Sequence, residues 1–455
     1  MKNKASKNIS ALIVLLDNLL GVLIIPFFLL GLLLALPWFF KQRRIWDKIA
    51  KGSPRAAILR GFTVEKVERR GKFEHYLPFR NPAISWMAIL DATNAIDTEI
   101  EIADDLRLIA WRSPGLVRYF EAKGLAASAT ILREPIAALK IARFCVQEKI
   151  GVLRAVKHNY PALQAGLVSR IIGIPFIVDI CGNYELITRL TGKTFYFKTL
   201  NKIPVLRAAA RRASNWLLGW PIRRAIRVLG RNKNNYEHGF ALGASVDRLS
   251  LLRISNFNKA FNAYNPEQPP ARPAEYPYFL FVGRLAKINF PVDVIDAFNM
   301  AGLQLPDHRL VIIGDGAIRT MIETKIEQSE FKDRIVFLGS RPNDEVLNWT
   351  AHAGAAICPY SGSTLVEAML CSKPVIAYDV EWHAEIVIDD YTGFLVPFAN
   401  IEALAEKMIF VIGHHEEAVK VASRGRKLAR VAFDKDKIRE KESFYYKQAL
   451  TESGG

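Results

Sequence analysis

The sequence predicts an α/β chain of two doubly wound domains, preceded by an N-terminal transmembrane or membrane-embedded helix. Three observations predict it. Short apolar runs alternate with helical patterns, a proline-rich break separates two such series, and a charge-free apolar run lies near the N-terminus. The 455 residues, 50% of them hydrophobic, suffice for two domains with cores of their own plus additional segments.

The apolar run comes first. Leu19 to Phe40 is a stretch of 22 residues without a charge. As a helix it matches a hydrocarbon core of about 30 Å, with Trp38, Phe39 and Phe40 where an interfacial belt belongs. A cleaved signal peptide would have a shorter apolar region and a small-residue cleavage site. Lys41, Arg43, Arg44, Lys48, Lys51, Arg55 and Arg60 follow the run, against Lys2, Lys4 and Lys7 before it. This excess predicts a cytoplasmic location for everything after a membrane anchor over residues 1–50. Pro26 and Pro37 equally allow a kinked, re-entrant segment with the same outcome.

The first domain is predicted over residues 51–268. Ile150–Val156 reads as a strand, Pro161–Ile172 as a helix with apolar residues at helical spacing, and Ile174–Gly182 as another buried strand. Five prolines between Asn265 and Pro277 mark a linker. The second domain is predicted over residues 269–430. Its strands are Tyr278–Leu285, Arg309–Gly316, Arg334–Ser340, Ala355–Ser361 and Lys373–Asp379, with helices between them. Residues 431–455 form a helical tail. Folds of this kind bind ligands beyond the carboxyl ends of their strands, and two such domains make the cleft between them the default site.

Charge and cysteine content bound the partners. The net charge of +17 points to an anionic partner: nucleic acid, acidic lipid or a phosphorylated substrate. Cys145, Cys181, Cys358 and Cys371 form no CxxC pair and sit in apolar runs, as free buried thiols do in a reducing compartment.

Three loops at strand ends carry the chemistry. They are Gly283-Arg284-Leu285 with Lys287 close behind, Gly314-Asp315-Gly316, and Ser361-Gly362-Ser363-Thr364 leading through Leu365 to Glu367. Glycines let backbone approach a ligand, and amides at a helix start suit phosphate oxygens. A helix terminus contributes roughly 0.3–1 kcal/mol. A unit charge about 4 Å from a phosphate contributes around 4 kcal/mol at a screened dielectric. Arg284 and Lys287 therefore dominate diphosphate stabilisation, and the helix sets geometry. Glu367, one turn further on, can accept both hydroxyls of a ribose diol. Together these describe a nucleotide-diphosphate site.

The order of FVGRLAK, LVIIGDGAIR, IVFLGS, SGSTLVEAMLCSKPVIAYD and AEIVIDDYTGFLVP resembles family 4 of the retaining GT-B glycosyltransferases, within the glycosyl transferases group 1. The likeness covers about Tyr278 to Met408 and extends more faintly to IGIPFIVDICGNYE in the first half. It implies two Rossmann-like domains and metal-independent transfer of a sugar from a nucleotide-sugar donor with retained anomeric configuration. On that resemblance Arg284 and Lys287 bind the leaving diphosphate, and Gly283, Gly314, Gly316 and Ser361 to Leu365 wrap the donor. Glu367 binds its ribose, and Glu385 and Gly393 belong to the supporting pattern. Gly182, Asn183, Tyr184 and Glu185 would line the acceptor side. No cofactor and no metal is implied; Asp434 and Asp436 imitate a metal motif but sit in a polar late helix. Departures exist as well. Pro359 stands where the family has the first of two glutamates, the family's histidine-glycine appears as Cys181-Gly182, and Lys287 comes earlier than the family's lysine. The family's double glycine is absent, with Gly61 and Gly71 standing alone.

Phe195 to Tyr236 holds ten basic residues and no acid: Lys198, Lys202, Arg207, Arg211, Arg212, Arg223, Arg224, Arg227, Arg231 and Lys233. Trp216, Leu217, Leu218 and Trp220 interrupt them, a pattern that suits anionic membrane lipids. No nucleic-acid-binding motif is present, which argues against that partner. His158 and His383 fit structural or catalytic roles equally. The expectation is a membrane-anchored cytoplasmic glycosyltransferase acting on a lipid-linked or saccharide acceptor in polysaccharide or glycolipid assembly. Pro359 and Cys181 favour the alternative, a non-catalytic sugar-nucleotide-binding or scaffold subunit.

Overall fold

The computed structural model describes residues 35–60, 80–94, 97–123, 125–191, 194–196, 204–253 and 259–452. The chain divides into two units, one of residues up to Leu252 together with Arg439 onwards, the other Arg253–Ile438. The sequence placed the join at 268/269, where the prolines cluster; by packing it falls earlier, after strand β8.

The first unit is built on an eight-stranded sheet among the described residues. Its strands are β1 (Arg55–Leu59), β2 (Trp86–Asn94), β3 (Thr98–Ala103), β4 (Leu106–Arg112), β5 (Val152–Val156), β6 (Phe176–Ile180), β7 (Arg227–Gly230) and β8 (Leu249–Leu251). The order is β3-β4-β2-β1-β5-β6-β7-β8, parallel except for the β3–β4 pair at one edge. Helices α1 (Leu36–Ile49), α2 (Gly115–Ala122), α3 (Ala126–Gln147), α4 (Tyr160–Ile172), α5 (Tyr184–Thr191), α6 (Arg207–Ile222) and α7 (Lys233–Ala241) cover it. Local chemistry sets the ends of α4. Pro161 occupies its first turn, where a missing N–H costs nothing, and Gly173 ends it at φ +85 with its N–H on Ser169 O at 2.8 Å. Alternation breaks in β5 and β6, which are buried at every position, as strands covered on both faces must be.

The N-terminal apolar run lies mostly outside the described residues, as do Lys2, Lys4, Lys7, Gly61 and Gly71. Among the described residues no helix is long and apolar enough to cross a membrane. The end of the run, from Leu36 to Phe40, forms the first turns of α1. The basic segment that follows continues that helix. Trp46 is buried at 2% exposure and donates from Nε1 to Ile150 O at 2.8 Å, docking α1 on the first unit.

The second unit, after the short helix α8 (Lys259–Ala263), holds β9 (Tyr278–Val282), β10 (Arg309–Ile313), β11 (Ile335–Gly339), β12 (Ala355–Ile357), β13 (Val375–Tyr378) and β14 (Phe394–Val396). They form a parallel sheet in the order β11-β10-β9-β12-β13-β14. Helices α9 (Pro291–Ala301), α10 (Arg319–Glu327), α11 (Asn343–His352), α12 (Ser363–Leu370), α13 (Ile401–Gly413) and α14 (His415–Ala432) pack on it. Two apolar cores result, one on each sheet face, around Phe281, Phe298 and Met408 and around Tyr278, Met369 and Val387. The order doubles back beside β9, so β9 and β12 are neighbours whose following loops share one edge.

The tail helix α15 (Lys435–Glu452) passes from the second unit into the first. Asp434 caps its start, accepting from Asp436 N–H at 3.0 Å and Lys437 N–H at 3.1 Å, so the apparent metal motif is a helix cap. Further along, Glu442 and Tyr446 reach Arg154, a buried strand arginine that also pairs with Asp179 at 3.0 Å.

Candidate functional site

Backbone packing explains the glycines of the second unit before any ligand is invoked. Gly283 N–H donates to Ile313 O at 3.0 Å and Leu285 N–H to Asp315 O at 2.9 Å, so the loops after β9 and β10 are zipped together. A Cβ on Gly314 would lie 1.8 Å from Gly283 O, and one on Gly316 would lie 2.3 Å from Leu285 O. Gly314 also has φ +152, a conformation open to glycine. With Leu285 buried beneath, the loop presents Arg284 and Lys287 outward, both exposed. Neither forms an ion pair with any described residue, so both charges remain available to an anion. Asn289 Nδ2 donates to Arg284 O at 2.8 Å and holds the loop's far side.

The loop after β12 lies on the adjacent strand. Pro359 is buried, and Tyr360 hydrogen-bonds Glu381. His383, buried at 1% exposure, fastens Ser361: Nδ1 lies 2.9 Å from Tyr378 O, and Nε2 lies 3.2 Å from Ser361 N. Burial lowers the pKa of His383 and keeps it neutral. A neutral ring with Nδ1–H donating to Tyr378 O leaves Nε2 to accept from Ser361 N–H. This residue is a support that sequence reasoning left undecided; its contacts span 22 positions, which no local pattern reveals.

Helix α12 then begins at Ser363 with Gly362 as its N-cap, no side chain of the described residues capping its amides and no acid in its first turn. Such a start suits a phosphate. Ser363 is exposed, Thr364 half-buried and Leu365 buried in the core behind. Glu367 follows one turn later, half-buried, with no ion pair or side-chain hydrogen bond to the described residues. Burial lifts its carboxyl from the ordinary range to about 7. An unpaired carboxyl so placed costs free energy without a ligand, since desolvation disfavours its charged form. The supporting residues also have packing roles. Glu385 pairs with Arg253 at 3.1 Å, and a Cβ on Gly393 would come within 2.6 Å of Val375 Cγ2.

The acceptor-side residues lie in the first unit, after β6. Gly182 has φ +134, and among the described residues no atom lies within 4 Å of where its Cβ would be. Asn183 shapes the start of α5, accepting from Glu185 N–H at 3.0 Å and donating to Asn234 Oδ1 at 3.0 Å. The Tyr184 hydroxyl accepts from Asn159 Nδ2 at 2.6 Å, and its ring lies 4.4 Å from the His158 ring. Glu185 is exposed and pairs with Arg189 at 2.6 Å. It also lines a 240 Å³ concavity with Asn215, Trp216, Arg223, His238, Ala241 and Leu242. His158 is fully buried, neither ring nitrogen has a hydrogen-bond partner among the described residues, and burial holds it neutral.

Of the sequence-predicted site residues, the sheet order therefore brings Gly283, Arg284, Lys287, Gly314, Gly316, Ser361 to Leu365 and Glu367 to one edge of the second unit. Gly182 to Glu185 belong to the other unit. The basic stretch from Phe195 to Tyr236 divides. Lys198 and Lys202 lie outside the described residues, while Arg231 pairs with Asp179, Arg227 with Glu452 at 3.5 Å and Lys233 with Glu237 at 3.9 Å. Arg207, Arg211, Arg212, Arg223 and Arg224 are exposed, as is Lys233.

Residues 265–428 match the family model for glycosyl transferases group 1. An uncharacterized glycosyltransferase of Methanocaldococcus jannaschii is 31% identical over 160 residues, 34% of this chain and 44% of that protein. The alpha-D-kanosaminyltransferase of Streptomyces kanamyceticus is 26% identical over 51% of this chain and 59% of its own length. The chain thus spans about half the length of the curated relatives it matches. Among solved structures, a sucrose-phosphate synthase of Thermosynechococcus elongatus superposes with a TM-score of 0.67 at 16% identity, covering 87% of this chain and 99% of that one. HepE of Anabaena, solved with UDP-glucose, gives 0.62 at 15% identity, covering 88% and 99%. The fold is that of a GT-B glycosyltransferase, two Rossmann-like sheets, and the second unit carries the likeness to group 1.

Proposed function

We propose that this chain transfers a sugar from a nucleotide-diphosphate sugar to a lipid-linked or saccharide acceptor, as a retaining, family 4 enzyme that needs no metal. The observation that carries this reading is Glu367: a carboxyl with a pKa of about 7 and no ion pair to the described residues, one turn inside the α12 start, and α12 follows the strand that neighbours β9, which leads into the Arg284 loop. Ribose hydroxyls satisfy the carboxylate, the helix start takes phosphate oxygens, and Arg284 and Lys287 stabilise the diphosphate as it leaves. With two cations doing that work, a divalent ion is dispensable, and transfer should persist in a chelator. The acceptor attacks the oxocarbenium-like sugar from the face the diphosphate leaves, which retains configuration. Curated relatives named as glycosyltransferases support sugar transfer, among them a Bacillus subtilis poly(glycerol-phosphate) alpha-glucosyltransferase that is 24% identical over 34% of this chain. The apolar run from Leu19 and the cations around α1 support a place at the cytoplasmic face of the cell membrane, with glycolipid or polysaccharide assembly as the setting.

A thermal-shift screen of UDP-, GDP- and ADP-sugars tests the donor. One selective hit, followed by turnover of that donor, supports the reading; no stabilisation by any of them contradicts it. Pro359, in place of a family glutamate, favours a second reading, a subunit that binds a sugar nucleotide without turning it over. Tight donor binding with neither hydrolysis nor transfer would select that alternative.

A further inference from the structure

We infer that the exposed face of α6, with the turn that precedes it, is a docking surface for an acidic lipid bilayer. The inference rests on the membrane-side reading above and assigns it a surface. Helix α6 is two-sided. Ala210, Ser214, Leu218 and Ile222 repeat every fourth residue and are buried. The opposite rows, Arg207, Arg211 and Asn215, and Ala208, Arg212 and Trp216, are exposed. Just before them stand Val205 at 85% exposure and Leu206 at 39%, while Trp216 is 58% exposed. Apolar side chains so open to water beside arginines suit a bilayer interface, where rings and aliphatic tips enter the headgroup layer and guanidinium groups meet phosphates. Arg211 and Arg212 form no ion pair with any described residue, and the sequence from Phe195 to Tyr236 holds no acid to compete.

A second helix in the same layer has the same character. Helices α1 and α6 both pack on α4, and a Cβ on Gly166 of α4 would lie 2.6 Å from Trp220, so α4 and α6 meet closely. Helix α1 buries Trp46 and leaves Phe40 63% exposed beside Lys41, Arg44 and Lys48. These side chains, with Pro37 and Ile45, line a 360 Å³ concavity. The charge-free run of sequence reaches this unit through α1. Trp216 also borders the concavity that Glu185 lines, so the docking face adjoins the acceptor-side loop. An acceptor held in the same bilayer would be presented beside that loop.

The test uses the full chain in nanodiscs, so the apolar N-terminal run is present throughout and the readout is local. An environment-sensitive dye is placed at Val205→Cys, and a control dye at Val431→Cys in the second unit. Emission is compared in phosphatidylcholine discs and in discs of equal parts phosphatidylcholine and phosphatidylglycerol. The expected result is a blue shift at position 205 in acidic discs alone, lost in high salt, with none at position 431. Arg211→Glu/Arg212→Glu should weaken this docking by at least about 30-fold, from roughly fivefold per arginine at an acidic surface, without lowering the melting temperature. No shift at position 205, an equal shift in neutral discs, or a shift that survives charge reversal in a folded variant would overturn the proposal. Stabilisation by a nucleotide sugar is measured on the same samples. Its loss would count against the proposed function, and the dye response would stand or fall separately.

Discussion

Replacing Glu367 with glutamine should stabilise the protein at alkaline pH and abolish tight donor binding. The carboxyl titrates near 4.5 when exposed and near 7 in the fold, because burial disfavours its charge. As pH rises the unfolded chain loses this proton first. The folded state therefore holds more protons between the two values, and stability falls across that window and stays low above it. The full difference of about 2.5 units corresponds to roughly 3 kcal/mol at pH 8.5, an upper value for a half-buried group, and to about 1 kcal/mol at pH 5. Glutamine carries no charge and escapes the cost at both. For a unit of this size, roughly 3 kcal/mol is a rise of about 6–12 °C in melting temperature. Scanning calorimetry of wild type and Glu367→Gln at pH 5 and pH 8.5 measures the gap for the second unit. A gap that is equal at both pH values, or a variant less stable than wild type at pH 8.5, would refute the reasoning.

Other outcomes follow from the same geometry. Arg284→Ala and Lys287→Ala should each cut turnover about 100-fold or more in a transfer assay while melting like wild type, since each removes an exposed charge worth up to about 4 kcal/mol at 4 Å from phosphate. Gly314→Ala should cost more than about 3 kcal/mol in a denaturant melt, because its Cβ would strike Gly283 O at 1.8 Å at φ +152. Glu442→Ala should destabilise the first unit by about 3 kcal/mol, since it strips one partner from the buried guanidinium of Arg154.

Strands β9 to β13 of the second unit were legible because each is a short apolar run, most of them closed by glycine or proline, and each of the five appears within a few residues of its expected place; β14 was not read as a strand. The positions of the loops were legible for the same reason, since a strand end fixes where Gly283 and Ser361 lie and the helix that follows fixes Glu367. Strands β1 to β4, β7 and β8 were passed over, although Thr98–Ala103 alternates polar and apolar residues as an edge strand does. The docking of α1 was hidden because its lysines and arginines outweigh the single tryptophan that fixes it. The tail's return to the first unit depends on Arg154 meeting Glu442 across 288 positions, and His383 meets Ser361 across 22, so no local pattern carries either contact. The unpaired state of Glu367 depends on what surrounds it, which spacing alone leaves open.

The most direct measurement is isothermal titration of the selected nucleotide sugar into wild type, Arg284→Ala and Glu367→Gln at pH 6 and pH 8. With a carboxyl near 7, wild type should bind about tenfold more tightly at pH 8. Arg284→Ala should bind more weakly but keep that step, and Glu367→Gln should bind more weakly and lose it. A glutamine variant that binds like wild type, with the same step, would contradict the account.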